Sequence, residues 1–341
     1  MRYLICLLLF VGTTAPKAFA QLPNAMIGQS VERDVRDMYN KGLQYLIKAQ
    51  AEDGSWTDGQ AGPGVTGLCA MTFLATGEDP NFGKYSNVIR KAVRNIIQKQ
   101  DKSTGYYGSS MYHHGFAMLS IAEAYGTVDD RKLWDGGGKQ TSIAESLELA
   151  VRCAVTSQKK NPSDAWRYSP NTSSADTSVS GAILVGLLAA RNAGVAVPDE
   201  SIKKAVGYYK SMTSNGGQVG YSGIGGHGTS DARTSIACLV FALAKKKDFE
   251  QYEATLDYLR DRINSNSAGH YQEYTRYYQA QALFQGDIEA WQKWNKLLIR
   301  QLKSSQQPDG SIQGNYGASV GTSMSLLSLA LNFRLLPIYE R

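Results

Sequence analysis

Apolar residues recur along this chain with the 3.6-residue period of an α-helix, and the alternation expected of strands is scarce. The first periodic stretch covers 31–49. Val31, Val35, Met38, Leu43, Leu46 and Ile47 form one stripe there, with Ser30 placed as N-cap. Residues 64–76 follow a Gly-rich bend and are apolar nearly all round, the pattern of a helix buried on every side. The pair then recurs. Half-polar stretches at 88–99, 143–157, 201–211, 252–264 and 288–304 are each followed by a second helical stretch, at 112–125, 176–190, 230–244, 272–285 and 319–333. The spacing predicts six helical hairpins with a period of roughly 50 residues. Charge gathers on the first helix of a pair, as in Glu32, Arg33, Asp34 and Arg36, while Ala, Gly, Ser and Thr crowd the second. Such hairpins stack as an open solenoid when both ends carry polar caps. Here the last stretch holds Leu326, Leu327, Leu329 and Leu331 and runs on to Leu335-Leu336-Pro337-Ile338-Tyr339. The expected fold is therefore all-α and closed, a double-walled ring whose first and last hairpins bury each other.

The turns inside the hairpins share a phrase. Gln50-Ala51-Glu52-Asp53-Gly54-Ser55-Trp56 joins the first pair, and Gln306-Gln307-Pro308-Asp309-Gly310-Ser311-Ile312 joins the last. Between them only a Gly and aromatic trace is visible: Gly105-Tyr106-Tyr107-Gly108, Trp166-Arg167-Tyr168, Gly216 to Tyr221, and a short Ala268-Gly269-His270-Tyr271. Physically, Gln caps free carbonyls at a helix end, Gly takes the bend, and Trp covers the end.

Composition narrows the class. The N-terminus reads as a secretory signal: Arg2, an apolar run from Leu4 to Val11, and a small-x-small site at Ala18-Phe19-Ala20. Cleavage there predicts a mature chain of one domain, 21–341, secreted or periplasmic. The run is too short to span a bilayer comfortably. The formal charge of +6 is mild for 341 residues. The one basic cluster, Lys245-Lys246-Lys247, closes a helix, so nucleic acid is not an expected partner. Cys69, Cys153 and Cys238 are odd in number and sit in apolar helical contexts, which reads as core packing.

The heptad resembles the QxxDGSW motif of the terpene cyclase and protein prenyltransferase α/α-toroid superfamily. The match is complete at Gln50–Trp56 and carries Ile312 for Trp in the last repeat. The chain is similar in particular to a secreted branch with prenyltransferase/squalene-oxidase repeats. The resemblance covers most of the mature chain as pattern. It implies a toroid with a central cavity for an extended, hydrophobic or isoprenoid ligand, and a structural role for the motif itself. The catalytic motifs do not carry over. Aligned on the cyclase DxDDTA motif, Ser174-Ala175-Asp176-Thr177-Ser178 puts Ala175 at the protonating position. The Asp-x-Cys zinc pair of prenyltransferases is missing, and Asp231 and Cys238 lie about two turns apart, too far to chelate one ion. Asp-rich diphosphate motifs and a GxxxxGK[ST] loop are also missing. No cofactor or metal is expected, although the loop 220–228 offers backbone N–H groups to an anion.

In a toroid the first turns of the inner helices line one mouth. They would bring His113, His114, Asp176, Thr177, Ser178, Asp231, Arg233, Tyr274, Arg276, Tyr277, Tyr278, Ser319 and Thr322 there, and the loops add Trp166, Tyr168, Tyr221, His227 and Tyr316. Each has a structural reading as well. Asp176 and Asp231 stand where Asp serves as an N-cap. Adjacent histidines point in different directions, the tyrosines also suit a core, and Arg233 and Arg276 need a carboxylate partner such as Asp176, Asp231 or Glu273. Three functions stay open. The first is a cavity for an extended hydrophobic ligand. The second is a carbohydrate-active enzyme, a glycosidase or polysaccharide lyase. There Asp176 and Asp231 act as acid and base about 5–10 Å apart, or a Tyr/His/Arg set abstracts a proton. The third is a non-catalytic interaction scaffold. A cavity of Leu, Phe and Ile favours the first, an aromatic cleft the second, and a ring plugged by its own side chains the third.

Overall fold

The computed structural model describes residues 32–134, 140–222, 230–264, 271–333 and 335–339. The signal-like leader, Ser30, Val31, His227, most of the 220–228 loop and residues 268–270 lie outside them. The helices come in pairs along the chain. They are α1 (Arg33–Ala49) with α2 (Pro63–Leu74), α3 (Ser86–Lys99) with α4 (Met111–Ala124), and, after a single turn α5 (Asp130–Leu133), α6 (Ile143–Lys160) with α7 (Thr177–Asn192). Then follow α8 (Asp199–Met212) with α9 (Asp231–Leu243), α10 (Glu250–Asp261) with α11 (Gln272–Gly286), and α12 (Ile288–Ser305) with α13 (Ala318–Ala330). A 3₁₀ turn, Pro337–Tyr339, comes after α13.

The second helix of each pair forms the inner wall. Each inner helix packs on the next, α2 on α4, α4 on α7, α7 on α9, α9 on α11 and α11 on α13, and α13 packs back on α2. The ring is closed, as the apolar last hairpin predicts. Burial follows the hydrophobic pattern. In α1 one stripe is buried, Val35, Met38, Tyr39, Gly42, Leu43 and Leu46, whereas in α7 Thr177 and every residue from Val179 to Ala190 is buried. Small residues set how close the inner helices come. A Cβ on Gly115 of α4 would lie 2.5 Å from the Ala182 carbonyl carbon of α7, so any larger residue would push the two apart.

The glutamine joints tie neighbouring hairpins together. Gln50 Nε2 donates to its own loop at the Gly54 carbonyl (3.1 Å) and to the next outer helix at the Val88 carbonyl (3.0 Å). Gln100 does the same to Gly105 and Ser146, and Gln158 to Asp164 and Ser201. The second and third hairpins thus keep the joint glutamine although their loops do not spell the heptad. Gln306 reaches Gly310 and then Met38 of α1, closing the outer wall with the same device. Gly54 and Gly310 have φ of 89° and 93°, and a Cβ at either would sit within 2.3 Å of a carbonyl oxygen of the neighbouring outer helix. The loops of hairpins one and six also pair directly. Gln60 N donates to the Tyr316 carbonyl (2.8 Å), and Asp58 Oδ2 accepts from Ser319 N at the start of α13 (3.0 Å) and from the Tyr45 hydroxyl. Among the described residues no helix is long and apolar enough to cross a membrane.

Candidate functional site

The N-termini of the inner helices face one end of the ring, and a cavity of about 810 Å³ opens among them. That is within the size range of small-molecule sites, roughly 300–1,000 Å³. Its walls differ. Neighbouring helices α2 and α13 contribute Val65, Leu68, Val320 and Met324, and Phe116 of α4 extends this apolar side. The remainder is polar and aromatic: Gln60, Ser110, Tyr112, His113, Tyr168, Ser178, Tyr221, Ser230, Asp231, Arg233, Arg262, Tyr271, Tyr274, Thr275 and Tyr316, with Gly64 and Ala232 between them.

Six tyrosines stand in pairs, each drawn from different hairpins. Tyr112 on α4 and Tyr274 on α11 meet across the ring through their hydroxyls at 2.9 Å. Tyr168 and Tyr221, from the loops before α7 and α9, meet hydroxyl to hydroxyl at 2.8 Å. Tyr271 and Tyr316 stack with centroids 5.5 Å apart and planes 12° from parallel. Burial pushes the Tyr112, Tyr168 and Tyr274 hydroxyls well above the usual phenol range, so all three stay protonated and able to donate.

The two aspartates are placed differently. Asp176 caps α7: its Oδ1 accepts from Val179 N at 2.8 Å. Its Oδ2 has no hydrogen-bond partner among the described residues and forms only a long ion pair, 3.9 Å, with Arg167 Nε. The side chain is buried and absent from the cavity wall, where Ser178 takes its place. Burial raises its pKa, against the pull of the Val179 N–H and the Arg167 charge. Asp231 lines the cavity, because Ser230 takes the capping role on α9. Asp231 Oδ1 accepts from Tyr258 Oη at 3.1 Å and from Arg262 Nε at 3.0 Å.

The adjacent histidines also part. His113 lines the cavity, with Nδ1 accepting from Gly64 N (3.3 Å) and Nε2 lying 3.4 Å from the Gln60 side-chain amide. His114 turns into the wall. Its Nδ1 accepts from Tyr107 N (3.3 Å), which leaves Nε2–H to donate to the Ala150 carbonyl (3.1 Å). Burial lowers the pKa of both, that of His114 to about 4.

Of the other sequence candidates, Tyr221, Arg233, Tyr274 and Tyr316 reach the cavity. Arg233 holds the Val219 carbonyl through Nε (2.9 Å), and its guanidinium lies 5.9 Å from the centre of the Tyr221 ring. Arg276 reaches outward to Gln301 of α12 (3.0 Å). Tyr277 is fully buried against Phe116 and Tyr278, one layer behind the wall. Trp166 is fully buried, with its indole N–H on the Ala154 carbonyl (2.9 Å), as that of Trp56 is on Leu46 (2.8 Å). It is the joint tryptophan of the third hairpin. The sequence reading passed over Gln60, Tyr112, Tyr271 and Arg262. Tyr112 was legible as the neighbour of His113 in a first inner turn. Arg262 ends an outer helix, where an arginine ordinarily reads as a solvated C-terminal charge. Among the described residues no three His, Cys, Asp or Glu side chains converge to hold a metal.

Residues 36–319 match the model of a family described as a domain of unknown function, DUF6288. A type II terpene cyclase, MstE from Scytonema, solved with geranylgeranyl dihydroxybenzoate, is similar in structure with a TM-score of 0.62. It shares 14% identity, over 89% of this chain and 98% of that one. The α-1,6-mannanase GH76A of Salegentibacter sp. HEL1_6, solved with α-1,6-mannotriose, gives a TM-score of 0.66 at 9% identity, over 88% of this chain and 99% of the other. At such identities the likeness is one of fold, and both are α/α toroids. No curated protein matches the sequence. The chain belongs to the DUF6288 family and has the all-α toroid fold.

Proposed function

We propose that this toroid holds a hydroxyl-rich, saccharide-type ligand against the tyrosine side of its cavity. The six tyrosines in the wall carry the reading. A tyrosine offers a flat apolar face to the C–H side of a sugar ring and a hydroxyl to its edge. Gln60, Ser110, Ser178, Ser230 and Thr275 add neutral donors and acceptors. A purely hydrocarbon ligand would leave these groups unmatched, and a buried polar group deprived of a partner costs about 1–3 kcal/mol. We assign ligand contact to Asp231, His113, Arg233 and the tyrosines, and to Asp176 the holding of α7. Binding is the activity supported. Cleavage by Asp176 and Asp231 as an acid pair would need a second carboxyl in the wall, where Ser178 stands. The 1–20 leader belongs to the same proposal, which places a single 21–341 toroid and its ligand outside the cytoplasm.

A second reading, an extended isoprenoid or other lipid, is favoured by the apolar side formed by Val65, Leu68, Phe116, Val320 and Met324. Binding to the full chain separates the two. Titration calorimetry with a panel of neutral and acidic oligosaccharides, and with farnesol, should show a saccharide binding the more tightly. The double variant Tyr168→Ala/Tyr221→Ala alters a pair at the mouth, where Tyr168 is 47% exposed, so the fold tolerates it. It should lose about tenfold or more of that affinity. Farnesol binding above every saccharide, or a double variant that binds sugar like the parent, would sink the saccharide reading.

A further inference from the structure

The Tyr112–Tyr274 hydrogen bond divides the cavity. Its ends stand on α4 and α11, which face each other across the inner ring. Helices α2 and α13 lie on one side of this bridge, α7 and α9 on the other. The two sides differ in chemistry. The lining residues within α2 and α13 are Gly64, Val65, Leu68, Val320 and Met324, whereas those within α7 and α9 are Ser178, Asp231, Ala232 and Arg233. Polar groups on the α2–α13 side, Gln60, His113 and Tyr316, come from loops or a first turn and so belong to the rim. The sides also differ in depth. Leu68 and Met324 are the sixth and seventh residues of their helices, about 8 Å below the helix starts at 1.5 Å per residue, while Ser178 and Arg233 are the second and third of theirs. Phe116 continues the deep side on α4, one turn below Tyr112, with ring centres 6.2 Å apart. The cavity is thus a shallow polar shelf beside a deeper apolar well, with a pair of phenol hydroxyls at the boundary.

A sugar on the shelf leaves the well to water, which forgoes the burial of its apolar surface. A sugar hydroxyl pressed against Leu68 or Met324 would be buried without a partner. Resting on the saccharide reading above, we propose that the ligand is a hydrophobic glycoside: its sugar lies on the shelf, and its apolar aglycone drops past the Tyr112–Tyr274 bridge into the well between α2 and α13. One molecule that spans the bridge meets both walls with matching chemistry. A free saccharide matches only the shelf, and a plain hydrocarbon only the well.

The test is calorimetric binding to the full chain of methyl, butyl and hexyl glycosides of glucose, galactose, mannose and N-acetylglucosamine, with hexanol as the sugar-free control. In at least one sugar series affinity should rise about threefold for each methylene added, so that the hexyl glycoside binds at least about tenfold more tightly than the methyl one. Met324→Gln, similar in length but polar, should flatten that rise. The parent series decides the matter if this variant does not fold cooperatively. Hexyl glycosides that bind no more tightly than methyl ones overturn the inference and leave the saccharide reading standing. A rise that stays as steep in Met324→Gln overturns the placement in the well. Binding of no glycoside overturns the inference as well. Hexanol binding as tightly as every hexyl glycoside removes the saccharide reading and this inference with it.

Discussion

His114 has both ring nitrogens engaged, by the Tyr107 N–H and the Ala150 carbonyl, and burial holds its pKa at about 4. The unfolded chain takes up this proton near pH 6.5, the folded chain only near 4, so its contribution to stability is present above 6.5 and is lost as pH falls toward 4. The interval is worth about 3 kcal/mol. His113 is shifted by burial in the same direction. Urea unfolding at pH 7 and pH 4.5 should therefore show a marked loss of stability at the lower pH, and His114→Gln should reduce that loss. An unchanged pH dependence in the variant would contradict the assigned roles of the ring nitrogens. At this scale the sequence announced a histidine pair at the start of an inner helix. Which ring faced the cavity depended on the rotation of α4 against α2 and α6, which no local pattern states. Trp166 and Arg276 were misplaced for the same reason. Their side chains follow partners on neighbouring helices, Ala154 on the preceding α6 and Gln301 on the following α12.

Whole elements were far more legible. The stretches expected at 88–99 and 272–285 are the helices Ser86–Lys99 and Gln272–Gly286: the outer one shows an apolar stripe, and the inner one is buried on most sides although it carries Gln279, Gln281 and Gln285. The short α5 and the 3₁₀ turn had too few residues to carry a period. The joints gave less of themselves away. Gln100 and Gln158 make the same two hydrogen bonds as Gln50, but nothing nearby spelled out the heptad. These bonds yield a prediction about closure. Gln100→Ala leaves two carbonyls short of a donor and should cost about 1–3 kcal/mol in chemical unfolding. Gln306 bridges the last hairpin to Met38 of α1. In a closed ring Gln306→Ala should cost a comparable amount. A negligible effect of Gln306→Ala beside a normal one for Gln100→Ala would mean that the ends do not depend on each other.

At the scale of the molecule, the repeat gave the ring, and the ring gave a cavity at the inner N-termini. Chemistry entered through the loops and first turns, which break the repeat. Tyr112 meets Tyr274 from three hairpins away, and Arg262 meets Asp231 from the end of an outer helix. The first pairing exists only across the ring and the second only once α10 packs on α9, which is why the sequence showed an unusual density of Tyr, Arg and Asp without showing their partners. The central claim is that this wall selects a hydroxyl-rich ligand. Native mass spectrometry of the purified full chain, with gentle and then energetic activation, tests it most directly. The predicted result is an adduct released at high energy whose mass is built from sugar units, and which Tyr168→Ala/Tyr221→Ala no longer retains. An adduct of isoprenoid or fatty-acyl mass, kept by the double variant, would contradict it.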